Sequence, residues 1–385
     1  MKLKEAQKQI IEMGLTLLES GLVVRSWGNI SCRLNDHQFL ITPSGRSYST
    51  LTPEELVIVN IIDEQPWGNI IPSVEKGVHL DIYMMRPDVN AIIHTHQTEA
   101  SALSSMDCGL PIHYSEAFSG EVRCGKYGFP GSVELRNNIR EEVLNSGGNA
   151  VLMAHHGAVC FGDTLMEAFR CSFLLERTCE QYFSEAAMDL FGDEWHQDMF
   201  LYSKLFQREN KFFPKEIMYL PQGQRVGDEI IISQSLKEPY FPLKEEKALA
   251  KEIYTAIFKA RGDIKYIKQA FSPEILTYSV LGKKLETYVD DFAQINGAVM
   301  GFAQPSPDAV VDALGENNGV ILVNGGVLCC GSTLDDVESL ALVAEKNAHA
   351  RLTAELFPEK NVNAIPLEEC RMMRSFYLDK YAKRF

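Results

Sequence analysis

Apolar and polar residues alternate along the chain with two different periods, and these predict a succession of helices and strands. From residue 3 to residue 20, apolar side chains recur every three or four positions with Lys and Glu between them, as in an amphipathic helix. Short apolar runs at 29–34, 37–41 and 56–61 are typical of strands. Further helices are predicted at 72–84 (with Ser73 as N-cap), 98–106, 133–145 and 164–188, and another begins at Leu243. Since short turns join several of the strands, we expect a mixed α/β fold with a mostly antiparallel sheet.

Two histidines end one of the apolar runs. In Ala91-Ile-Ile-His94-Thr-His96 the two imidazoles are two positions apart, and side chains at such positions point to the same face of a strand. By itself, such a pair is equally consistent with two unrelated histidines. A catalytic zinc site uses three protein ligands and leaves one position open. The best candidates for a third ligand are His155 and His156, which follow the apolar run 150–153.

The sequence contains a repeat of domain size. The segment 151–165 matches 320–334 without a gap, and the following helix keeps the spacing, with Glu176 matching Glu345. In the second copy, His155-His156 becomes Asn324-Gly325, and no His-x-His occurs after residue 200. This pattern predicts a tandem pair of domains, of which only the first has a metal site. We expect a metal-binding domain at 1–190, an inter-domain connection at 191–244 and a degenerate domain at 245–385.

Composition narrows the class of protein. The chain has 385 residues and a net charge of -15, which argues against general nucleic-acid binding because that needs a basic surface. The nine cysteines include an adjacent pair and no Cys-x-x-Cys, as expected for reduced thiols in a cytoplasmic protein. The N-terminus lacks the apolar core of a signal peptide, and no apolar run approaches the ~20 residues that span a bilayer. We therefore expect neither a nucleic-acid nor a membrane partner.

Four motifs in the first half together resemble a known family. They are Gly28-Asn29-Ile30-Ser31, Thr42-Pro43-Ser44-Gly45, Pro72-Ser73-Val74-Glu75 and the histidines. In order and spacing these are similar to the class II aldolase/adducin head-domain family. The resemblance extends over roughly residues 5–190, and is weaker over 245–357, where it rests on the repeat. It implies a three-layer α/β/α, class II aldolase-like domain with a mixed, mostly antiparallel central sheet, duplicated in tandem.

The resemblance also implies a metal centre and an acid/base group. His94, His96 and His156 would hold a divalent metal, usually zinc, with manganese or cobalt as alternatives; the family's third ligand directly precedes the glycine. Such an ion is a Lewis acid toward the enediolate that forms when the carbon–carbon bond breaks. Glu75 matches the family's acid/base carboxylate. The alternative interpretation, without a catalytic role, is that Glu75 is a solvated glutamate in the first turn of a helix.

Further positions match the family's substrate site. Asn29, Ser44, Gly45 and Ser73 correspond to its phosphate cradle, in which short donors and backbone N–H groups hold an oxyanion. Val74 stands where many of the aldolases carry a second serine. Tyr114 falls where the aldolases have a tyrosine that reaches a neighbouring subunit's site and protonates the aldehyde oxygen.

The resemblance implies a metal-dependent aldolase that cleaves a sugar phosphate or related hydroxy-ketone. Glu75 and Thr42 favour an aldolase over the family's 4-epimerase, which carries Asp and Lys there. An epimerase, dehydratase or decarboxylase at the same site remains an alternative, as does a non-catalytic, adducin-like interaction protein. Family members assemble as symmetric tetramers, so we expect a homo-oligomer, either a tetramer or a dimer of tandem chains with pseudo-fourfold symmetry.

Overall fold

A computed structural model describes residues 2–192, 217–233, 243–360 and 362–380 of the chain. The chain divides into two compact units. The first extends to Ala186 and also takes in residues from Thr353 to Asn363. The second extends from Ala187 to Leu352 and continues from Ala364. No helix among the described residues is long and apolar enough to cross a membrane.

The first unit alternates helices and strands much as its apolar periods predict. Its helices are α1 (Leu3–Glu19), α2 (Lys76–Met85), α3 (Thr98–Ser104), α4 (Ile112–Ser115), α5 (Val133–Ser146) and α6 (Leu165–Phe191). Its strands are β1 (Asn29–Asn35), β2 (Gln38–Ile41), β3 (Val57–Asn60), β4 (Ala91–Thr95), β5 (Arg123–Gly125), β6 (Ala150–Met153) and β7 (Gly157–Gly162). Thr52 and Glu55 form a capping box on the 3-10 turn Pro53–Glu55, which satisfies backbone donors at its start.

The seven strands form one sheet covered by helices on both faces. The strand order is β3-β2-β1-β4-β7-β6-β5. Only the β5–β6 pair is parallel, so the expectation of a mixed, mostly antiparallel sheet is confirmed. One face packs against α2 and α5, and the other packs against α1 and the start of α6. Neighbouring β4 residues such as Ile92 and Ile93 enter opposite cores, as strand alternation requires.

The second unit contains another seven-stranded sheet. Its strands are β8 (Gln222–Val226), β9 (Glu229–Ser233), β10 (Tyr266–Ala270), β11 (Leu285–Glu286), β12 (Val299–Ala303), β13 (Gly319–Leu322) and β14 (Val327–Gly331), in the order β11-β12-β13-β14-β10-β8-β9. Its helices are α7 (Lys244–Ala260), α8 (Pro273–Leu281), α9 (Asp290–Ile295), α10 (Pro307–Leu314), α11 (Leu334–Thr353) and α12 (Leu367–Lys380). The predicted connection 191–244 thus contributes β8 and β9 to this sheet, while its residues 193–216 and 234–242 lie outside the described part of the chain.

The two sheets repeat the same pairing register. Ala150 pairs with Cys160 between β6 and β7, and Gly319 pairs with Cys329 between β13 and β14, so the offset of the sequence repeat is kept in space. The turns between these strands also match, because His155 and Asn324 both have positive φ, at 59° and 51°. Asparagine tolerates this left-handed conformation better than most residues. The tandem duplication predicted from the sequence is therefore present in the fold.

The start of α2 differs from its prediction. The helix begins at Lys76, not near Ser73, and Glu75 takes the N-cap position without a capping hydrogen bond from its side chain. The Ser73 hydroxyl instead accepts a hydrogen bond from the Glu75 backbone N–H, at 3.3 Å. This local bond competes with helical hydrogen bonding and keeps residues 73–75 out of the helix. As a result, the Glu75 carboxylate is directed away from the helix end and into the protein.

Glu176 of α6 caps the first turn of α3. Its carboxylate accepts hydrogen bonds from the backbone N–H groups of Glu99 (2.8 Å) and Ala100 (3.1 Å), in the first turn of the helix that follows His96. Because Glu176→Ala leaves these donors without the carboxylate, we expect it to lower the free energy of unfolding by about 1–2 kcal/mol in urea denaturation.

The matched control is Glu180→Ala on the same helix, which removes an exposed ion pair with Arg177. Exposed ion pairs contribute roughly 0–1 kcal/mol, so this variant should stay close to the wild type. Equal losses in the two variants would contradict a capping role for Glu176.

Candidate metal centre

The end of β4 brings two histidines into the interior of the first unit. His94 is the fourth residue of β4, and His96 follows directly after the strand. The His94 Nδ1–H donates to the Ala158 carbonyl at 2.9 Å, which leaves Nε2 facing inward. The segment after His96 is fixed by Gln97, whose amide donates to the Ser172 carbonyl of α6 at 3.0 Å. Both histidines are buried.

Glycines on both sides allow this strand end to be closely packed. A Cβ on Gly28 would lie 2.5 Å from the His94 carbonyl oxygen, and one on Gly157 would lie 2.2 Å from the Thr95 carbonyl oxygen. Such contacts are impossible for any other residue, so both positions need glycine for close backbone approach. The sequence motifs at these glycines therefore reflect packing around the histidine strand.

The third histidine comes from the turn between β6 and β7. His155 adopts the left-handed conformation, and the His156 N–H donates to the Met153 carbonyl at 2.9 Å. The turn directs His156 toward His94, with stacked rings whose centroids are 4.8 Å apart. His155 instead lies edge-on to Tyr127, at 5.7 Å. Of the two adjacent histidines, the structure thus brings His156 to His94 and His96.

The three inward nitrogens form a compact donor set. The Nε2 atom of His94 is 3.0 Å from that of His96 and 3.1 Å from that of His156. Three tetrahedral Zn–N bonds of about 2.0–2.1 Å require nitrogens roughly 3.3 Å apart, which is close to these distances. The chemistry and spacing of the donors therefore fit a divalent metal. Within the described residues, these three form the one group of His, Cys, Asp and Glu side chains with such geometry.

Glu75 completes this cluster. Its Oε1 lies 2.8 Å from the Nε2 of His156, and its Oε2 lies 3.3 Å from that of His94. The side chain is only 8% exposed. Burial raises the pKa of the Glu75 carboxyl, but the charges of His94 and His156 outweigh burial and hold the pKa well below its usual value. The interpretation of Glu75 as a solvated residue of a first helical turn is therefore wrong.

Asn29 and His79 surround the other side of Glu75. The Asn29 amide nitrogen donates to Glu75 Oε2 at 2.8 Å, and its carbonyl oxygen contacts His79 Nε2. His79 Nδ1 is 2.7 Å from the Ser31 hydroxyl, which is 2.8 Å from the Tyr83 hydroxyl. Burial, and then the charge of His94, lower the pKa of His79 to about 3. His79 is thus a hydrogen-bonding residue, and the Asn29 side chain is already engaged by two partners.

The two loops that carry the predicted phosphate cradle are joined by their backbones. The Ser73 N–H donates to the Thr42 carbonyl at 3.1 Å, and the Ser44 N–H donates to the Ile71 carbonyl at 3.0 Å. Thr42 is tied in turn to Ile30, whose N–H donates to the Thr42 hydroxyl at 3.2 Å. Ser44 and Ser73 are both buried, whereas Val74 is 39% exposed. Asn29, Ser44, Gly45 and Ser73 are thus on elements that β1 and the paired loops hold together.

Tyr114 lies on the short helix α4. Its hydroxyl donates to the Glu185 carboxylate of α6, and its ring packs edge-on against Tyr182 with centroids 5.4 Å apart. The side chain is partly exposed. These contacts hold Tyr114 against α6 in its own unit.

The second unit replaces all three histidines of the candidate metal site. In each unit, one residue of the strand pairs with the last glycine of the adjoining strand. His94 of β4 and Gln269 of β10 both lie three residues after that paired residue, so Gln269 occupies the position of His94. Phe271 then corresponds to His96, and Gly325 to His156. The Gln269 amide nitrogen donates to the Met218 carbonyl at 3.1 Å, and to that of Gly325. A glutamine that binds backbone carbonyls thus fills the place where the first unit has imidazoles.

The sequence interpretation did not identify Ser31, Tyr83 and Gln97. A signal for the first two was present in the spacing. Asn29 and Ser31 are two apart on a strand, and Glu75, His79 and Tyr83 are four apart on a helix, so each set shares one face. No local spacing signals Gln97, because its partner Ser172 is 75 positions away.

Comparisons with known proteins show which family profile the chain matches and which proteins it is similar to. The profile of the class II aldolase and adducin N-terminal domain matches residues 8–183 and 243–352. The chain is 34% identical over 187 residues to 5-deoxy-D-ribulose 1-phosphate aldolase of Bacillus thuringiensis serovar kurstaki, covering 48% of this chain and 86% of that protein. It is 33% identical to 3-oxo-tetronate 4-phosphate decarboxylase of Haemophilus influenzae, covering 46% and 88%. Among solved structures, an L-fuculose 1-phosphate aldolase is 31% identical, with coverage of 46% and 84% and a TM-score of 0.43.

The turn at His155 yields a stability prediction. Because position 155 needs the left-handed conformation and its counterpart is Asn324, we expect His155→Asn to keep the wild-type melting temperature within about 3 °C. His155→Val should lower the free energy of unfolding by about 1–2 kcal/mol, since a β-branched residue is strained there. Differential scanning calorimetry of both variants tests this. Equal losses would show that contacts of the imidazole ring, such as that with Tyr127, are what stabilise the turn.

Proposed function

The chain belongs to the class II aldolase and adducin N-terminal domain family, and from this premise we propose that it is a metal-dependent aldolase. The proposed reaction is retro-aldol cleavage of a sugar phosphate or related hydroxy-ketone. The observation that carries the proposal is the buried convergence of three imidazole Nε2 atoms with the Glu75 carboxylate. A domain that served only as a scaffold would have no physical need to bury such a polar cluster, because desolvating it opposes folding.

The relatives support the substrate class. Proteins whose names specify 5-deoxy-D-ribulose 1-phosphate and L-fuculose phosphate are 34% identical to the chain, over 86% and 77% of their own lengths. Both names denote phosphorylated ketoses. We therefore assign a phosphorylated ketose to this chain as its substrate class. The groups assigned to the phosphate are Ser44, Gly45 and Ser73 on the paired loops, and the second amide hydrogen of the adjoining Asn29.

We assign the metal to His94, His96 and His156, with zinc as the first choice and manganese or cobalt as alternatives. When bound, a divalent ion supplies Lewis acidity that stabilises negative charge on the oxygens of the ketone-bearing fragment. The protein's own contribution is orientation. The Ala158 carbonyl fixes the tautomer of His94 through Nδ1, and Gln97 fixes the chain after His96.

Glu75 is the proposed acid/base group. In the condensation direction, the ionised carboxylate removes a proton from the carbon next to the carbonyl, that carbon forms the new bond to the aldehyde carbon, and the aldehyde oxygen takes up a proton. Cleavage follows the same steps in reverse, so Glu75 returns its proton to the carbon of the ketone-bearing fragment. We assign the proton at the aldehyde oxygen to Tyr114 of a neighbouring subunit.

The proposed organisation follows from the duplication. Catalysis would belong to residues 1–190, and residues 245–385, which have Gln269 and Gly325 at two ligand positions, would serve as a structural or interface domain after the connection 191–244. We propose a homo-oligomer, either a dimer of tandem chains with pseudo-fourfold symmetry or a tetramer. In either assembly, only one metal site per chain is expected.

Decarboxylation is the second candidate function. The chain is 33% identical to a protein named 3-oxo-tetronate 4-phosphate decarboxylase over 88% of its length. Loss of carbon dioxide from a 3-oxo acid leaves the same kind of negative charge next to a carbonyl as retro-aldol cleavage does. The same metal ligands and the same proton donor could therefore serve both reactions. The leaving fragment, an aldehyde or carbon dioxide, distinguishes the two.

Elemental analysis tests the metal proposal. The wild-type protein, purified without chelators, should contain about one divalent ion per chain, because only the first unit has the three histidines. His94→Ala should lose most of this ion, whereas the control His37→Ala, at an exposed histidine, should retain it. A wild-type protein that contains no metal and takes up none from added zinc would overturn the proposal and favour the interaction protein.

Product analysis tests the reaction. On a panel of ketose 1-phosphates and 3-oxo acid phosphates, we expect an aldehyde as a product, detected by reduction with an NADH-linked dehydrogenase, and no carbon dioxide. Glu75→Gln should lower kcat by about 100- to 10,000-fold because it removes the acid/base group. The exposed Glu54→Gln is the matched control. Carbon dioxide release without aldehyde would replace the aldolase proposal with the decarboxylase.

A further inference from the structure

A line of five buried polar side chains extends from Glu75 away from the three histidines. In order, it contains Glu75, Asn29, His79, Ser31 and Tyr83. All five are less than 9% exposed, and Ser31, His79 and Tyr83 are at most 2% exposed. Two of them lie on one face of β1, and the other three are four residues apart at the start and along one face of α2. Bulk water cannot replace any of these hydrogen bonds, so the partners must satisfy one another.

The placement of the Asn29 amide between Glu75 and His79 fixes the direction of the hydrogen bonds in this line. The Asn29 NH₂ group donates to Oε2 of Glu75, and its carbonyl oxygen faces Nε2 of His79. A carbonyl oxygen only accepts, so Nε2 of His79 must carry a hydrogen. The pKa of about 3 keeps His79 neutral, so Nδ1 has none and accepts from the Ser31 hydroxyl. Ser31 in turn accepts from the Tyr83 hydroxyl.

The opposite direction would be unfavourable next to Glu75. If His79 carried its hydrogen on Nδ1, its Nε2 would need a donor, and Asn29 would have to turn its amide around. The Asn29 carbonyl oxygen would then face the Glu75 carboxylate at the present 2.8 Å separation, which is repulsive. The tautomer of His79 therefore determines which end of the Asn29 amide meets Glu75.

We propose that His79 is a positioning residue which, as the neutral Nε2–H tautomer supported by Ser31 and Tyr83, orients the Asn29 amide so that it holds the Glu75 carboxylate toward the three histidines. The catalytic part of this inference rests on the proposed function of Glu75 as acid/base group. The structural part, the tautomer and the direction of the hydrogen bonds, does not. His79 itself touches neither the proposed metal ligands nor Glu75 through any hydrogen bond described above.

The structural part is tested by solid-state ¹⁵N NMR of the whole protein labelled at its histidine side chains. The spectrum separates the two neutral tautomers from the imidazolium, and the signals of His79 among the nine histidines are those that disappear in His79→Gln. We expect one protonated Nε2 and one unprotonated Nδ1 at pH 7. An Nδ1–H tautomer or an imidazolium at His79 would overturn the proposal, whatever reaction the protein catalyses.

The catalytic part is tested by comparing two substitutions at position 79. His79→Phe removes the donor to Asn29 at similar side-chain volume, and we expect a kcat about 10- to 100-fold lower, with KM within about twofold and metal content unchanged. His79→Gln keeps an N–H donor and should restore kcat to within about tenfold of the wild type. The exposed His37→Phe is the control for introducing a phenylalanine in place of a histidine.

The outcomes separate this inference from the proposed function. A wild-type protein that turns over none of the panel compounds refutes the aldolase proposal, while the NMR result still decides the structural part. A His79→Phe variant with wild-type kcat overturns the positioning role. If His79→Phe does not fold, Ser31→Ala replaces it. That variant removes the donor to Nδ1, so it should lower kcat about 3- to 30-fold with KM unchanged, and an unaltered kcat in Ser31→Ala would overturn the proposal.

Discussion

The burial of one carboxylate beside three imidazoles is the constraint on which the arrangement of the first unit's candidate site depends. Glu75 is 8% exposed and lies 2.8 Å from the Nε2 of His156, so its charge is stabilised only by groups that the protein itself supplies. Three separate elements must meet the start of α2 to supply them: the end of β4, the turn between β6 and β7, and β1. The close approach of Gly28 and Gly157 to the carbonyls of β4 is what allows these backbones to come together.

The second unit shows that the fold does not require this interaction. Six of its seven strands keep the order and the β6–β7 pairing register of the first sheet, and the turn at Asn324 keeps the left-handed conformation of His155. Gln269 and Gly325 nevertheless stand in for two histidines, and the glutamine binds backbone carbonyls instead. Scaffold and chemistry are thus separable, as duplicated domains allow. The stability of the sheet comes from its two apolar faces, whereas the histidines and Glu75 add polar groups that must be compensated locally.

That compensation extends beyond the atoms that would touch a metal or a substrate. The strand face of Asn29 and Ser31 meets the helix face of His79 and Tyr83, and each side chain satisfies the next. Because each hydrogen bond in the line has a required direction, a change at one end affects the group at the other. The Glu75 carboxylate is therefore stabilised by the cluster of histidines on one side and by a hydrogen-bonded line of neutral side chains on the other.

The sequence by itself determined the succession of helices and strands, the mostly antiparallel sheet, the tandem repeat and the grouping of candidate ligands, because apolar period and motif spacing are local properties. Only the tertiary structure decided the rest. Helix α2 starts at Lys76 because the Ser73 hydroxyl accepts a hydrogen bond from the backbone of Glu75. The hydrogen-bond partner of Asn29 is a carboxylate 46 positions away in the sequence. The family motif selects His156 over His155, but the contact of its ring with His94 depends on the turn that places it there. Such choices are made by contacts between distant segments, and no local pattern of residues encodes them.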